Sequence, residues 1–226
     1  IWLAGQDAEG LRRVEEGGLS VSLPARRAAA RRLAEATGAR LVETELPFGL
    51  AKTAQFVRDV GAAAGRSRQA EAFIASETSR AASRLQWIVP HLFVNRRAAF
   101  IGDPHLLGGF LDIADDLGLR VAGAIVSGRS GHGGGRPGIR VLHEPAASSR
   151  EAQRLIRSGL DLLVSSWCSR ERQGLQGLDV RTMEFGFPSY RHHALFETPF
   201  LGFNGCLAFV ERMADCLQYD RGTGRA

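Results

Sequence analysis

The hydrophobic pattern alternates between short apolar runs and amphipathic stretches. Ile1–Ala4 reads as a short strand, Asp7–Glu16 as a short helix closed by Gly17-Gly18, and Leu19–Leu23 as a second strand. Pro24 opens the next helix, Ala25–Thr37, whose Ala and Arg are strong helix formers and whose cap is Gly38. Leu41–Leu46 alternates like a strand, Pro47-Phe48-Gly49 is a turn, and Thr53–Ala64 is a helix. Such a β-α-β-α-β-α rhythm predicts a parallel sheet with helices on its faces.

A long helix follows from Arg68 to Gln86, with Ala70, Phe73, Ile74, Ala81 and Leu85 near one face, and Pro90 ends the region. It reads as a connector between two lobes. The rhythm then restarts. Arg97–Ile101 is a strand, Gly102-Asp103-Pro104-His105 a turn, Leu106–Leu117 a helix capped by Gly118, and Leu119–Val126 a strand. Ser127–Gly138 holds six glycines and reads as a loop. Ile139–His143 is extended, and Ser148–Ser158 is a helix with Ser148 and Glu151 in capping-box positions. Leu160–Ser165 and Val180–Phe187 complete the strands, with Pro188 stopping the last one. Pro199, Gly202 and Gly205 punctuate a structured turn. Asn204 is then the expected N-cap of a final helix bearing Phe203, Cys206, Leu207, Val210, Met213, Ala214 and Leu217 on one apolar face. The expected fold class is α/β, with two Rossmann-like lobes built on parallel sheets flanked by helices. The expected boundaries are 1–90 for the first lobe with its connector helix and 91–226 for the C-terminal lobe.

Composition narrows the function classes. The formal charge is +5, and Lys52 is the only lysine. The arginines are scattered and interleaved with glutamate, which favours a solvated surface over a nucleic-acid footprint. Three cysteines, Cys168, Cys206 and Cys216, form no disulfide framework. No apolar run is long enough to cross a bilayer, and no signal peptide is visible, so a cytoplasmic protein is expected. The chain opens on Ile1 inside a strand-like run and reads as cut from something longer.

Candidate chemistry lies mostly in turns after strands, where open parallel sheets bind ligands. Gly102-Asp103-Pro104-His105 occupies such a place, although Asp103 as N-cap and Pro104 at the first helical position explain it equally well. Cys168 could ligate as a thiolate and Arg170 could hold a carboxylate; a lone cysteine is more often a small buried hydrophobe. Paired His192-His193 has neither an HxxxH nor a CxxC partner, and turn or interface hydrogen bonds account for it. The glycine-rich loop lacks the strand–loop–helix spacing of a phosphate cradle. There is no GxSxG, HExxH, CxxC or P-loop. Unaided pattern therefore supports a two-lobed α/β protein, and a small-molecule-binding Rossmann protein stays open on fold rhythm alone.

Four ordered segments go further. Gly186-Phe187-Pro188-Ser189-Tyr190-Arg191-His192-His193, followed by Leu201-Gly202-Phe203-Asn204-Gly205 and its helix, resembles the C-terminal signature of the nitrogenase component 1 family, above all its β-type chains. Pro47-Phe48-Gly49-Leu50-Ala51-Lys52-Thr53-Ala54-Gln55-Phe56 resembles the family's Pro-x-Gly-x-x-x-Thr-x-x-Phe stretch. Ile101-Gly102-Asp103-Pro104 resembles its strand ending in Gly-Asp-Pro. Ala29–Gly38 is similar to the helix before its Gly-x-Pro, with Arg40 where Pro is usual.

The resemblance implies three-lobed subunits paired as α/β heterodimers or α2β2, of which this chain carries the second and third lobes. It implies electrons delivered by an ATP-hydrolysing iron protein through an iron–sulfur cluster, whose ligands lie mostly in the first lobe; none is expected in this chain alone. Nitrogen fixation, tetrapyrrole reduction, reduction of sulfur compounds and a non-catalytic scaffold for metallocluster assembly all occur in such a family. The α-type chain holds its metallocluster through a Cys and a His. Ser22 falls near the first of these positions and Pro188 or Ser189 near the second, so the resemblance implies a β-type chain without that ligand pair. Gly102, Asp103, His105, Cys168, Arg170 and His192 are then expected to line the strand-end cleft or the subunit interface.

Overall fold

A computed structural model describes residues 18–127, 136–143, 149–166, 180–186 and 196–218. The expected strand Ile1–Ala4 and helix Asp7–Glu16 lie outside the described residues, as do most of the glycine-rich loop and the predicted cap Ser148. Strand β1 (Leu19–Ser22) pairs in parallel with β2 (Arg40–Glu43). Between them a 3-10 turn at Pro24–Arg26 runs into α1 (Arg27–Thr37), which Gly38 ends in the left-handed region at φ 70°. Two helices follow, α2 (Leu50–Ala63) and α3 (Ser67–Leu85). They approach closely at Gly61, where a Cβ would stand 2.5 Å from that of Ala70.

Pro90 does not end the helical region as expected. It sits at the start of a π-helical turn, Val89–Phe93, where a missing N–H costs least, and the turn buries Phe93 before the next strand.

The second sheet has five parallel strands in the order β5-β4-β3-β6-β7. These are β3 (Arg97–Gly102), β4 (Arg120–Val126), β5 (Val141–His143), β6 (Leu162–Ser165) and β7 (Thr182–Glu184). Strand β7 covers Thr182–Glu184 of the predicted Val180–Phe187; the Phe185 N–H still donates to the Ser165 carbonyl at 3.1 Å, and Phe187 lies outside the described residues. Helix α4 (Pro104–Asp116) links β3 to β4, α5 (Ser149–Arg157) precedes β6, and α6 (Gly202–Gln218) follows the last strand.

Both faces of the central strand are covered, which is why Ala98-Ala99-Phe100-Ile101 is apolar throughout. Ala98 and Phe100 join the large core with α4 and α6. Ala99 and Ile101 join a smaller one with Ala152 and Ile156 of α5.

Phe48 carries the contact between the helices after β2 and the large sheet. It is 1% exposed. Its ring stacks on Phe185 at 5.2 Å and meets Phe209 edge-on at 5.1 Å, with Phe200 at 6.4 Å. Its neighbours make the entry possible. Gly49 has φ 90°, and its bare Cα faces the Gly109 carbonyl and Ile113. A Cβ on Gly109 would stand 2.2 Å from the Phe48 carbonyl oxygen. The Pro47 carbonyl accepts from the Gly202 N–H at 2.8 Å, and the Thr53 hydroxyl donates to the Gly49 carbonyl at 2.6 Å. Pro47, Phe48, Gly49 and Thr53 of this stretch therefore each have a packing or hydrogen-bonding task.

Replacing Phe48 by Ala removes this plug. We expect a loss of about 3–5 kcal/mol in urea unfolding, the range for a buried aromatic cut to Ala.

Candidate functional site

In the large sheet the chain leaves β3 towards β4 and β5 on one side, while β6 and β7 lie on the other. The carboxyl ends of β3 and β6 thus flank a topological switch point, where crevices form in open α/β sheets. Register sets Ile101 beside Ser165, and Gly102 beside Val126 and so level with His143.

Three of the residues singled out from sequence gather here. Gly102 is the buried last residue of β3, and its carbonyl accepts from the Ser127 N–H at 3.0 Å. Asp103 is the N-cap of α4: its carboxylate oxygen accepts from the His105 N–H at 2.7 Å, and Pro104 takes the first helical position. His105 is half-buried on the first turn. Cys168, Arg170 and His192, the other three, lie outside the described residues, as do Pro188 and Ser189.

Sequence reasoning passed over three contributors. Ser165 and Ser166 are buried at the end of β6. The Ser165 hydroxyl donates to the Ser166 carbonyl at 2.9 Å, and the Ser166 N–H donates to Ile101 at 3.3 Å. A polar pair closing the apolar run Leu162-Leu163-Val164 was the available signal. His143 ends β5 with its Nδ1 buried and without a hydrogen-bond partner among the described residues. Nothing local in the sequence marks it, because only the sheet register brings it level with Gly102.

The C-terminal signature has a different task. Helix α6 begins at Gly202, so Asn204 is not its N-cap as predicted; it lies inside the first turn. There its Oδ1 accepts from Arg80 Nη2 at 2.6 Å, and the same guanidinium is held by Glu77. Phe203 packs on Phe73 of α3 at 5.9 Å. A Cβ on Gly205 would stand 2.5 Å from the Phe200 backbone. Leu201–Gly205 therefore fastens α6 to α3 and to the Pro47 turn. Ser22, near the position implied for a cluster cysteine, is buried at the end of β1 with its hydroxyl donating to the Leu23 carbonyl at 3.3 Å.

An iron–sulfur cluster requires thiolate or comparable donors in a group. Among the described residues no three His, Cys, Asp or Glu side chains come together to hold a metal. Burial, with Asp116 nearby, pushes the Cys206 thiol up to about 12, and burial raises that of Cys216 as well. The Cys206 thiol stays protonated through the pH range where a free cysteine ionises. The described residues therefore do not fit such a cluster.

An open parallel sheet with helices on both faces and a crevice at its switch point defines an α/β protein of the doubly wound kind. The chain belongs to the nitrogenase component 1 type oxidoreductases, whose family model matches residues 1–218. Among solved structures it is similar to "Nitrogenase Cp1 at pH 6.5", with TM-score 0.74 and 17% identity over 96% of this chain and 50% of that one. A second, "Nitrogenase Cp1 at pH 5", gives TM-score 0.58 and 12% identity over 90% of this chain and 47% of that one. The chain thus spans about half the length of these structures. No helix among the described residues is long and apolar enough to cross a membrane.

Two measurements check this account of the site. Iodoacetamide at pH 8, mapped by mass spectrometry, should leave Cys206 unmodified in the folded protein and label it in urea; rapid native labelling would contradict a buried, protonated thiol. Asp103→Ala should lower stability by about 1 kcal/mol and Asp103→Ser should recover most of that. No loss in the Ala variant would mean that the carboxylate is not held as a cap.

Proposed function

We propose that this chain forms the middle and C-terminal lobes of a β-type subunit in a nitrogenase component 1-like reductase. The observation that carries the reading is the family match across residues 1–218. The lobes divide at residue 90, with α3 as the connector. The subunit pairs with a homologous α-type chain in the cytoplasm. An ATP-dependent iron protein supplies the electrons, and an iron–sulfur cluster of the assembled complex carries them; that cluster is held by residues other than those described.

The β-type assignment is supported by Ser22, whose hydroxyl is engaged by a backbone carbonyl where the α-type chain would need a cysteine. In this reading the described part of the chain works by position. Phe48 and the Arg80–Asn204 contact hold α2, α3 and α6 against the large sheet as a stiff wall. The crevice residues Gly102, Asp103 and His105, with Cys168, Arg170 and His192, face the cofactor side or the subunit interface. Asp103 fixes the first turn of α4 and thereby sets the direction of His105.

The test is to co-express the gene product containing this chain with its α-type neighbour, purify anaerobically, and measure iron and acid-labile sulfide. A one-to-one complex with both, reduced only when iron protein and ATP are supplied, is the expected result. A folded, iron-free protein that ignores the α-type chain would overturn the reading, and small-molecule binding at the crevice would then be the function to pursue.

A further inference from the structure

Guanidinium groups crowd the amino-terminal edge of the large sheet, at the end opposite the crevice. Arg97 opens β3 and Arg120 opens β4, and the parallel register sets them side by side. Neighbouring strands lie about 4.8 Å apart, so like charges in register repel. Arg96 stands just before β3, and the exposed Arg157 ends α5.

Among the described residues, the carboxylates near them are engaged elsewhere or within the group: at the end of α4 Asp115 pairs with Arg136 and Asp116 lies near Cys206, while Asp161 sits among the guanidiniums. Asp161 accepts from Arg96 Nη1 at 3.1 Å and from the Arg97 N–H at 2.8 Å. The Arg97 guanidinium turns to the end of α5, where it donates to the Ser158 carbonyl and, at 3.3 Å, to the Ser158 hydroxyl. That placement suits a cation at a helix C-terminus. No such role accounts for Arg120 and Arg157. Both are exposed, with no ion pair or side-chain hydrogen bond among the described residues.

Apolar surface adjoins the charge. Val94 is 45% exposed and rests against Gly118, just ahead of Arg120. Arginine is among the side chains most enriched in the energetically dominant contacts of protein interfaces. Nucleic acid is a poorer match. Asn95–Arg97, Gly118–Arg120 and Arg157–Asp161 contain no aromatic residue to stack on bases, and Asp161 interrupts the positive row.

We infer that this edge, built from Arg96, Arg97, Arg120, Arg157 and Val94, docks a protein partner that presents carboxylates around an apolar contact. The inference rests on charge complementarity at the sheet edge and is independent of the function proposed for the crevice.

Fluorescence anisotropy of the full chain at low salt tests it, using a labelled peptide of glutamates flanking two central leucines and, separately, oligo-dT of equal charge. The peptide should bind, and Arg120→Glu with Arg157→Glu should weaken it about tenfold. Val94→Ser should weaken it too. A control pair with the same change of charge at exposed positions elsewhere, Arg32→Glu with Arg68→Glu, should have little effect. Thermal melts by circular dichroism confirm folding, and Arg120→Gln with Arg157→Gln replaces the reversal pair if that pair is destabilised. Absence of peptide binding would overturn the inference, as would equal weakening by the control pair, which would reveal net charge alone. Oligo-dT binding at least as tightly, with the same sensitivity to the edge pair, would assign the surface to nucleic acid instead.

Discussion

One phenylalanine in an aromatic nest holds the molecule together. Phe48 leaves the turn after β2 and enters a group formed by Phe185, Phe200 and Phe209, which come from the end of β7, the segment before α6 and α6 itself. The nest is compact even without the plug: Phe185 and Phe209 lie 4.5 Å apart and Phe185 and Phe200 4.7 Å. Each aromatic pair adds about 0.5–1.5 kcal/mol beyond its area burial. Direction matters as much as energy. Because Gly109 has no side chain, the backbone of the turn can lie directly on α4, and because Gly49 accepts a positive φ, α2 can start at once in a new direction. From this arrangement follow the position of α2 and α3, the hydrogen bond from Gly202 to Pro47, and the setting of α6.

The family motifs within the described residues are therefore largely motifs of assembly. Pro47–Thr53 and Leu201–Gly205 meet each other, and each supplies what the other lacks: an acceptor for Gly202, a hydrophobe for the nest, a bare Cα for a close approach. Asn204 reaches Arg80 across the same seam. Gly102-Asp103-Pro104 serves two ends at once. It shapes the start of α4, and it does so at the switch point of the sheet, so a side chain on that first turn is held in a defined direction beside Ser165 and Ser166. Membership in the family and possession of chemistry are separate matters here: the motifs establish the former, and the described side chains add no donor set for a cluster.

The two edges of the large sheet differ in kind. The carboxyl edge is small and polar, with Gly102, Ser127, Ser165 and Ser166 hydrogen-bonded largely to backbone. The amino edge is basic. Parallel strands fed by helices place helix C-termini at that edge, where cations are favoured, and Arg97 at the end of α5 shows the benefit. That benefit does not extend to Arg120 or Arg157, and this excess distinguishes the edge from a set of helix caps.

The features legible in the chain before folding are local and periodic. The repeating strand–helix pattern, the Gly38 cap, the Asp103-Pro104 helix start and the doubly buried strand at Ala98–Ile101 are all written in neighbouring residues, because backbone propensity, capping and alternation act within a few positions. The family resemblance was also legible, since motif order survives where individual contacts cannot be seen. The errors fell where distant parts of the chain compete for a residue. Asn204 has the side chain of an N-cap, but Gly202 already starts α6 and Arg80, far away in sequence, takes the amide oxygen. Pro90 has the look of a terminator, yet the burial of Phe93 keeps the turn wound through it. Only the tertiary structure could decide that Phe48 is a core residue, that His143 stands level with Gly102, and that Arg97 and Arg120 share an edge. Those facts depend on strand order and register, which are settled when the whole sheet packs and no single segment encodes.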